Sequence, residues 1–240
     1  MTPTDPDAGP ATVARPGDHD DDDFEAITGE SRWPPVIATV LFLALSIVVR
    51  AVLPQESLTR LPYLVPAVEA VLVVVLFMAD PSGRAERLRM RRAGLILVGG
   101  LVLASLWDTA ELIDDLIHGH GVANEPGPLL ALAGTVWLGN NLASSLLYWL
   151  IDGGGPFARR VLRVPVDFAF TQHLSPAVAP PGWRPVFLDY LHLGFTNATA
   201  FSPTDVMPLT HRAKYAMVVQ STVSLAVLGL VVARAVNAFN

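Results

Sequence analysis

Apolar residues along this chain fall in long uninterrupted blocks, not in the periodic stripes of an amphipathic surface helix. Five blocks have the ~17–25 residues with which a helix crosses the ~30 Å apolar core of a bilayer. They are residues 35–53, 63–79, 93–112, 128–151 and 213–233. A sixth segment covers 185–201. The pattern predicts an all-α protein, a polytopic membrane bundle of five or six transmembrane helices.

The polar segments between these blocks divide the chain into four parts. Residues 1–33 hold nine acids and two arginines, and they lack the apolar residues that would offset the entropy lost on ordering. We expect a disordered acidic tail there, followed by a four-helix transmembrane region at 34–152. A cytoplasmic or interfacial loop at 153–184 is rich in proline, and a pore-like helix, a turn and a final transmembrane helix make up 185–240.

Composition narrows the class of protein. Hydrophobic residues make up 52% of the 240 residues and charged residues only 16%, whereas soluble domains carry about a quarter charged residues. The chain has no cysteine, which excludes disulfides and thiolate metal sites. We find no P-loop, dinucleotide fingerprint, nucleophile elbow or metalloprotease motif. We therefore expect no enzyme activity, no catalytic residue, no cofactor, no metal site and no nucleic-acid partner.

The C-terminal part carries a motif with chemical content. Residues 188–210 read L-D-Y-L-H-L-G-F-T-N-A-T-A-F-S-P-T-D-V-M-P-L-T, which resembles the pore region of potassium channels. In that family an aromatic-rich pore helix leads to a T-V-G-Y-G-D filter, then a P-x-T sequence and the inner helix. Tyr190 and Phe195 stand at pore-helix positions, and Thr196 and Thr199 match the threonines of that helix. The tail of the motif matches at Asp205, Val206, Pro208 and Thr210.

The filter itself departs from the family. T-V-G-Y-G is replaced by Ala200, Phe201, Ser202, Pro203 and Thr204. Filter carbonyls point inward partly because glycines adopt backbone angles that other residues avoid, so a potassium-selective carbonyl ladder is not expected. The resemblance implies an ion-channel-like homo-oligomer, a tetramer, that passes monovalent or divalent ions by a non-standard selectivity turn. The hairpin is also similar to bacterial multi-spanning proteins of unknown function that share F-T-x-x-T-A-F-S-x-T-D.

Charge predicts the orientation in the membrane. Five arginines lie within 84–92 and three within 159–163, and loops with excess positive charge stay in the cytoplasm. With a cytoplasmic N-terminus all eight arginines fall inside and 185–201 becomes a short fifth crossing, and we favour this six-crossing arrangement. A channel-like arrangement with five crossings would place them outside. The arginine-, alanine- and proline-rich composition favours the inner membrane of a bacterium.

Polar residues inside the apolar blocks are further candidates. Glu69 lies in the second block, and an intramembrane carboxylate is by default a functional candidate unless an ion pair, here with Arg50, explains it. Asp108, Glu111, Asp115 and His118 follow each other at helical spacings of three and four on one face. They could relay protons or bind a cation, or the helix simply leaves the membrane near Asp108.

Amides and hydroxyls also occur within the apolar blocks. The residues are Asn140, Asn141, Gln220, Ser221, Thr222 and Ser224. For Asn140 and Asn141 we expect hydrogen bonds between helices. The polar groups of the final block would line the cavity in a channel, or hydrogen-bond neighbouring helices in a monomer. Two alternatives to a channel therefore stay open: a carboxylate-dependent transporter, or a non-conducting structural or regulatory membrane protein that has kept a pore hairpin.

Overall fold

The structure, a computed structural model, describes residues 30–52, 84–118, 126–161, 164–199 and 205–238, with residues 67, 70 and 71. The helices are α1 (Trp33–Val52), α2 (Arg84–His118), α3 (Pro126–Ile151), α4 (Pro156–Val161), α5 (Thr171–Leu174), α6 (Phe187–Ala198) and α7 (His211–Ala238). Strands β1 (Phe168–Phe170) and β2 (Val206–Pro208) pair antiparallel, with Ala169 opposite Met207. The predicted all-α class is confirmed for these residues, whereas the tail up to residue 29 and the second block lie outside them.

Helix α3 forms the centre of the bundle, and α1, α2, α6 and α7 pack around it. Residues 140–146 of α3, N-N-L-A-S-S-L, are all buried, because helices pack around α3 on several sides. The ring of Phe42 of α1 lies over the neighbouring Gly139. A second cluster is formed by Val49, Leu112, Leu116, Leu129, Leu132 and Val227.

The bundle has one end that collects most of the positive charge. Glu30, just before α1, bonds Trp149 near the end of α3, and the guanidinium of Arg91 in α2 lies against Gly154. We call this the basic end. Its described cations are Arg32, Arg91, Arg92, Arg159, Arg160, Arg184, Arg212 and Lys214. Helices α1, α2 and α7 therefore run away from the basic end, and α3 runs towards it.

Two described segments are long and apolar enough to cross a membrane, Arg91–Asp114 and His211–Ala233, and Trp33–Val49 is a shorter apolar helix. Only 39% and 28% of the two longer segments are buried inside the protein. A core helix of a soluble protein would be mostly buried, and here apolar side chains such as Val218 and Leu225 point outward. Length, composition and exposure thus support a membrane protein, with two candidate spans among the described residues.

The segment 187–208 begins and ends at the same end of the bundle. Tyr190 near the start of α6 bonds Asp152 at the end of α3. Phe195 contacts Trp137, and Thr199 lines the same cavity as Trp137 and Val227, far from that end. β2 then lies at the basic end again, paired with β1. We call residues 187–208 the hairpin; within it, residues 200–204 lie outside the described residues.

This geometry corrects the expectation that 185–201 crosses from one end to the other. A helix of 12 residues is about 18 Å long at 1.5 Å per residue, which is less than the ~30 Å of an apolar core. The connection between α3 and α6 contains β1. Because β1 pairs with β2, the residues after the hairpin turn are held at the end of the bundle where α6 begins. The sequence gives no local signal for this pairing, because the two strands are three residues each.

Candidate functional site

The buried face of α6 places polar groups against α3 and α7. Its buried residues are Phe187, Tyr190, Leu193, Gly194, Asn197 and Ala198, at the spacings of three and four that make one helical face. Leu188, His192 and Phe195 are exposed on the opposite face. Asp189 accepts a 2.7 Å hydrogen bond from the N–H of Val186, which fixes where the helix begins.

Gln220 of α7 is the centre of a buried polar network. Its Oε1 accepts hydrogen bonds from the hydroxyl of Tyr148 at 2.6 Å and from Nδ2 of Asn197 at 2.8 Å. Its Nε2 donates to the carbonyl oxygen of Gly194 at 2.9 Å. Gln220 is only 1% exposed, and a buried amide without partners would cost roughly 1–3 kcal/mol per group. One side chain therefore connects α3, α6 and α7.

The same network continues on both sides of Gln220. Nδ2 of Asn197 also donates to the carbonyl oxygen of Met217 at 3.0 Å. Nδ2 of Asn140 donates to Oγ of Ser224 at 3.0 Å and to the carbonyl oxygen of Gln220 at 3.2 Å. The predicted interhelical role of Asn140 is confirmed, and apolar packing alone would not define the register of these helices so closely.

Gly194 allows α6 to touch α3. A Cβ at this position would lie 2.1 Å from Oγ of Ser145 and 2.7 Å from Oδ1 of Asn141. Oγ of Ser145 itself donates to the carbonyl oxygen of Asn141 at 2.7 Å, so it cannot turn away without losing that bond. The contact requires glycine, as close helix contacts in membranes often do.

A carboxylate at the end of α3 holds the base of the hairpin. Oδ1 of Asp152 accepts from the backbone N–H groups of Asp167 at 2.6 Å and Phe168 at 3.1 Å, and Oδ2 accepts from the hydroxyl of Tyr190. The chain reverses immediately after Asp152 because Gly153 has a φ of 55°, a left-handed conformation that favours glycine. Asp152 thereby joins α3, β1 and α6.

Asp167 forms a second anchor with the start of α7. Arg212 donates from Nε and from a terminal nitrogen to the two carboxylate oxygens, each at 2.6 Å. Thr210 Oγ1 and the N–H of Gly153 donate as well. Burial alone would raise the pKa of the Asp167 carboxyl, but the hydrogen bonds from Arg212, Thr210 and Gly153 outweigh it and hold the pKa below its usual value.

A third anchor fixes the beginning of α1. Glu30 accepts from Nε1 of Trp149 at 2.8 Å and from a terminal nitrogen of Arg159 at 3.2 Å. Burial raises the pKa of the Glu30 carboxyl, and the neighbouring Arg159 only partly opposes this. The guanidinium of Arg159 also lies 5.1 Å above the ring of Tyr190. Glu30, Arg159 and the hairpin are therefore parts of one assembly.

The predicted pore residues are only partly placed. Ala200, Phe201, Ser202, Pro203 and Thr204 lie outside the described residues. The hydroxyls of Thr196 and Thr199 donate to carbonyl oxygens of the preceding turn of α6, and Asp205 is exposed at the base of the hairpin. These four bonds join each hydroxyl to the backbone of α6 itself.

The carboxylates predicted to share one face of α2 have different partners. Asp108 is 4% exposed and accepts from Oγ of Ser46 on α1 at 3.4 Å. Glu111 instead accepts from Nε1 of Trp107 on its own helix at 2.7 Å. α2 continues through His118, so the predicted extension of this helix through Asp115 to His118 is confirmed. Glu69 and the side chain of Asp115 lie outside the described residues.

The sequence does not predict Asp152 and Asp167 as anchors of the hairpin, although it does predict the interhelical role of Asn140 in the Gln220 network. The sequence signal for Asp152 is its position after an apolar block and before three glycines. No local pattern predicts the ion pair of Asp167 and Arg212, because the two residues are 45 positions apart. Within the described ranges no group of three His, Asp or Glu side chains could hold a metal ion. No protein-family model, curated protein or solved structure matches this chain.

Proposed function

We propose that this chain is a channel-like integral membrane protein in which the hairpin is a re-entrant segment. The observation that carries the proposal is that α6 and β2 lie at the same end of the bundle while the tip of α6 lies deep within it. A helix that points into the bundle, followed by a strand back at the end where the helix begins, is the layout of a pore loop. Such irregular backbone is tolerated at membrane depth only inside protein or beside water.

Charge gives the orientation of this proposal. The basic end lies in the cytoplasm, because positive residues next to spans are retained there, and the N-terminus lies on the same side. Val52 and Arg84 flank residues 53–83 and lie at opposite ends of the bundle, and the apolar block 63–79 in that segment is long enough for a crossing in addition to α1, α2, α3 and α7. The result is five crossings, a hairpin that enters from the cytoplasm and a C-terminus outside, in the inner membrane of a bacterium.

The passage itself forms between copies of the chain. The exposed face of α6, with Leu188, His192 and Phe195, meets its equivalents around a symmetry axis, and the tetramer of the channel resemblance is the expected assembly. Residues 196–205 then lie nearest the axis. Because two glycines of a potassium filter are replaced, we expect monovalent or divalent ions to pass without strong selection for potassium.

The first experiment determines stoichiometry and ion flux of the purified protein in lipid bilayers. We expect a closed symmetric oligomer, and a cation flux whose selectivity changes on Thr204→Ala in the turn. The matched control is Thr222→Ala, which alters an exposed hydroxyl of α7 and leaves selectivity unaltered. Monomers without flux would overturn the proposal and favour the non-conducting structural or regulatory role.

A second candidate, carboxylate-dependent transport, is favoured by Asp108. Its carboxylate is buried between α1 and α2 beside Ser46, and Oγ of Ser105, one turn earlier, is buried with no partner among the described residues. Intramembrane carboxylates of this kind carry protons or cations in transporters. Asp108→Asn should abolish proton-coupled uptake in proteoliposomes, with Glu111→Gln as the control. Equal uptake in both variants would exclude the mechanism.

A further inference from the structure

The acidic charge of this chain is concentrated before the first helix. Residues 1–29 contain eight acids and one arginine, and six of the acids lie between Asp18 and Glu25. Without this segment the chain is close to neutral, since 22 acids and 16 bases become 14 and 15. The segment therefore carries a charge that some positive surface could neutralise.

The attachment point of this segment is fixed at the basic end. Glu30 is 7% exposed and is held by Trp149 and Arg159. Asp23 is seven residues before Glu30 and Asp18 is twelve residues before it. At 3.3–3.6 Å per residue these lengths reach at most about 24 Å and 42 Å, and a bundle a few helices wide, each ~10 Å across, lies within that reach.

The surface within reach is positive. Five cations are exposed there and have no carboxylate partner among the described residues. They are Arg91, Arg92, Arg160, Arg184 and Lys214. Two other acids lie at this end near the surface, Asp189, which accepts from Val186, and the exposed Asp205, while Asp152 and Asp167 are occupied by internal donors. The surface keeps an excess of positive charge.

We propose that residues 18–25 bind this positive surface of the same chain. The charges are complementary, with six acids against five cations, and the connection through Glu30 keeps the two at high effective concentration. Anionic lipid headgroups would compete for the same cations. Docking of the segment would therefore shield the basic end from anionic lipid, and it is independent of whether the hairpin conducts.

A zero-length crosslink tests the contact, because Lys214 is the single lysine of the chain. Carbodiimide coupling of the full-length protein in zwitterionic lipid should join Lys214 to an acid within 18–25, as read by mass spectrometry of the digest. We expect the yield to fall several-fold near 1 M salt, where the Debye length is ~3 Å. Lys214→Arg removes the amine and is the blank.

The matched variant replaces Asp20, Asp21, Asp22 and Asp23 by Asn in the full chain. It should lose most of the crosslink and retain several-fold more anionic lipid than the unaltered protein in native mass spectrometry. Coupling of Lys214 to Asp205 or Asp189 alone would overturn the proposal. So would a crosslink that joins only differently labelled copies in a mixed-isotope sample, or equal lipid retention by the two proteins.

Discussion

Nδ2 of Asn197 on α6 donates a hydrogen bond of 2.8 Å to Oε1 of Gln220 on α7. The bond joins the last turn of the hairpin helix to the middle of the final apolar helix, and both side chains are buried. A helix held only by apolar contacts can shift along its neighbour at little cost, whereas a paired amide defines one position. Whatever the hairpin does, this pair sets its depth in the bundle.

Replacing Gln220 by Leu removes the acceptor of Tyr148 and Asn197 and the donor to Gly194. We expect a loss of about 1–3 kcal/mol in the free energy of unfolding, because these buried groups lose a partner while leucine adds little packing. Denaturant titration in detergent micelles measures the loss. Ser221→Ala is the control, since among the described residues Ser221 Oγ donates to the carbonyl oxygen of Val218 on its own helix. An equal loss in both variants would contradict the role of Gln220.

Gly194→Ala should displace the hairpin from α3. The added Cβ would lie 2.1 Å from Oγ of Ser145, so we expect destabilisation by about 1–3 kcal/mol in spite of the higher helix propensity of alanine. Gly229→Ala in α7 meets no atom within 4 Å and should be neutral or stabilising. Thermal unfolding of the two variants distinguishes them, and similar midpoints would show that α6 does not pack as described.

The pair of Asp167 and Arg212 makes stability depend on acid pH. The pKa of Asp167 is lowered by hydrogen bonds in the folded state, so its contribution is present above the unfolded value of 3.8 and is lost as pH falls through the folded pKa. Asp167→Asn should cost about 1.5–3 kcal/mol at neutral pH, and the difference should shrink below about pH 3.8. Unfolding curves between pH 2 and 7 measure this, with Lys214→Gln as a variant of a nearby exposed cation. A constant difference at all pH values would refute it.

The ionisation of Glu30 should change stability with pH in the direction opposite to that of Asp167. Its pKa is raised above 4.5 by burial, so the folded state binds more protons than the unfolded state between 4.5 and the raised value, and stability falls as pH rises through that window. Glu30→Gln does not titrate. We expect the unaltered protein to lose stability relative to this variant as pH rises above 4.5, measured by the same unfolding curves; parallel curves would count against a buried Glu30.

Several features of the fold follow from local sequence. The apolar blocks predict α1, the part of α2 from residue 93 onward, α3 and α7, because block length and the need to satisfy backbone groups within a helix act over neighbouring residues. The extension of α2 back to Arg84 is not predicted, since residues 84–92 are rich in arginine. Asn140 in an apolar block predicts an interhelical bond because a buried amide needs a partner. For Gln220 the sequence leaves cavity lining and such a bond both open, and the structure shows the bond.

Which partner each polar group finds was decided by the tertiary structure. The sequence predicts a short crossing at 185–201, but the pairing of Phe170 with Val206 and of Asp167 with Arg212 returns the chain to the end where it entered. These contacts join residues 36 to 45 positions apart. Local periodicity carries no information about such pairs, since their energy depends on side chains that only the packed bundle brings within hydrogen-bonding distance.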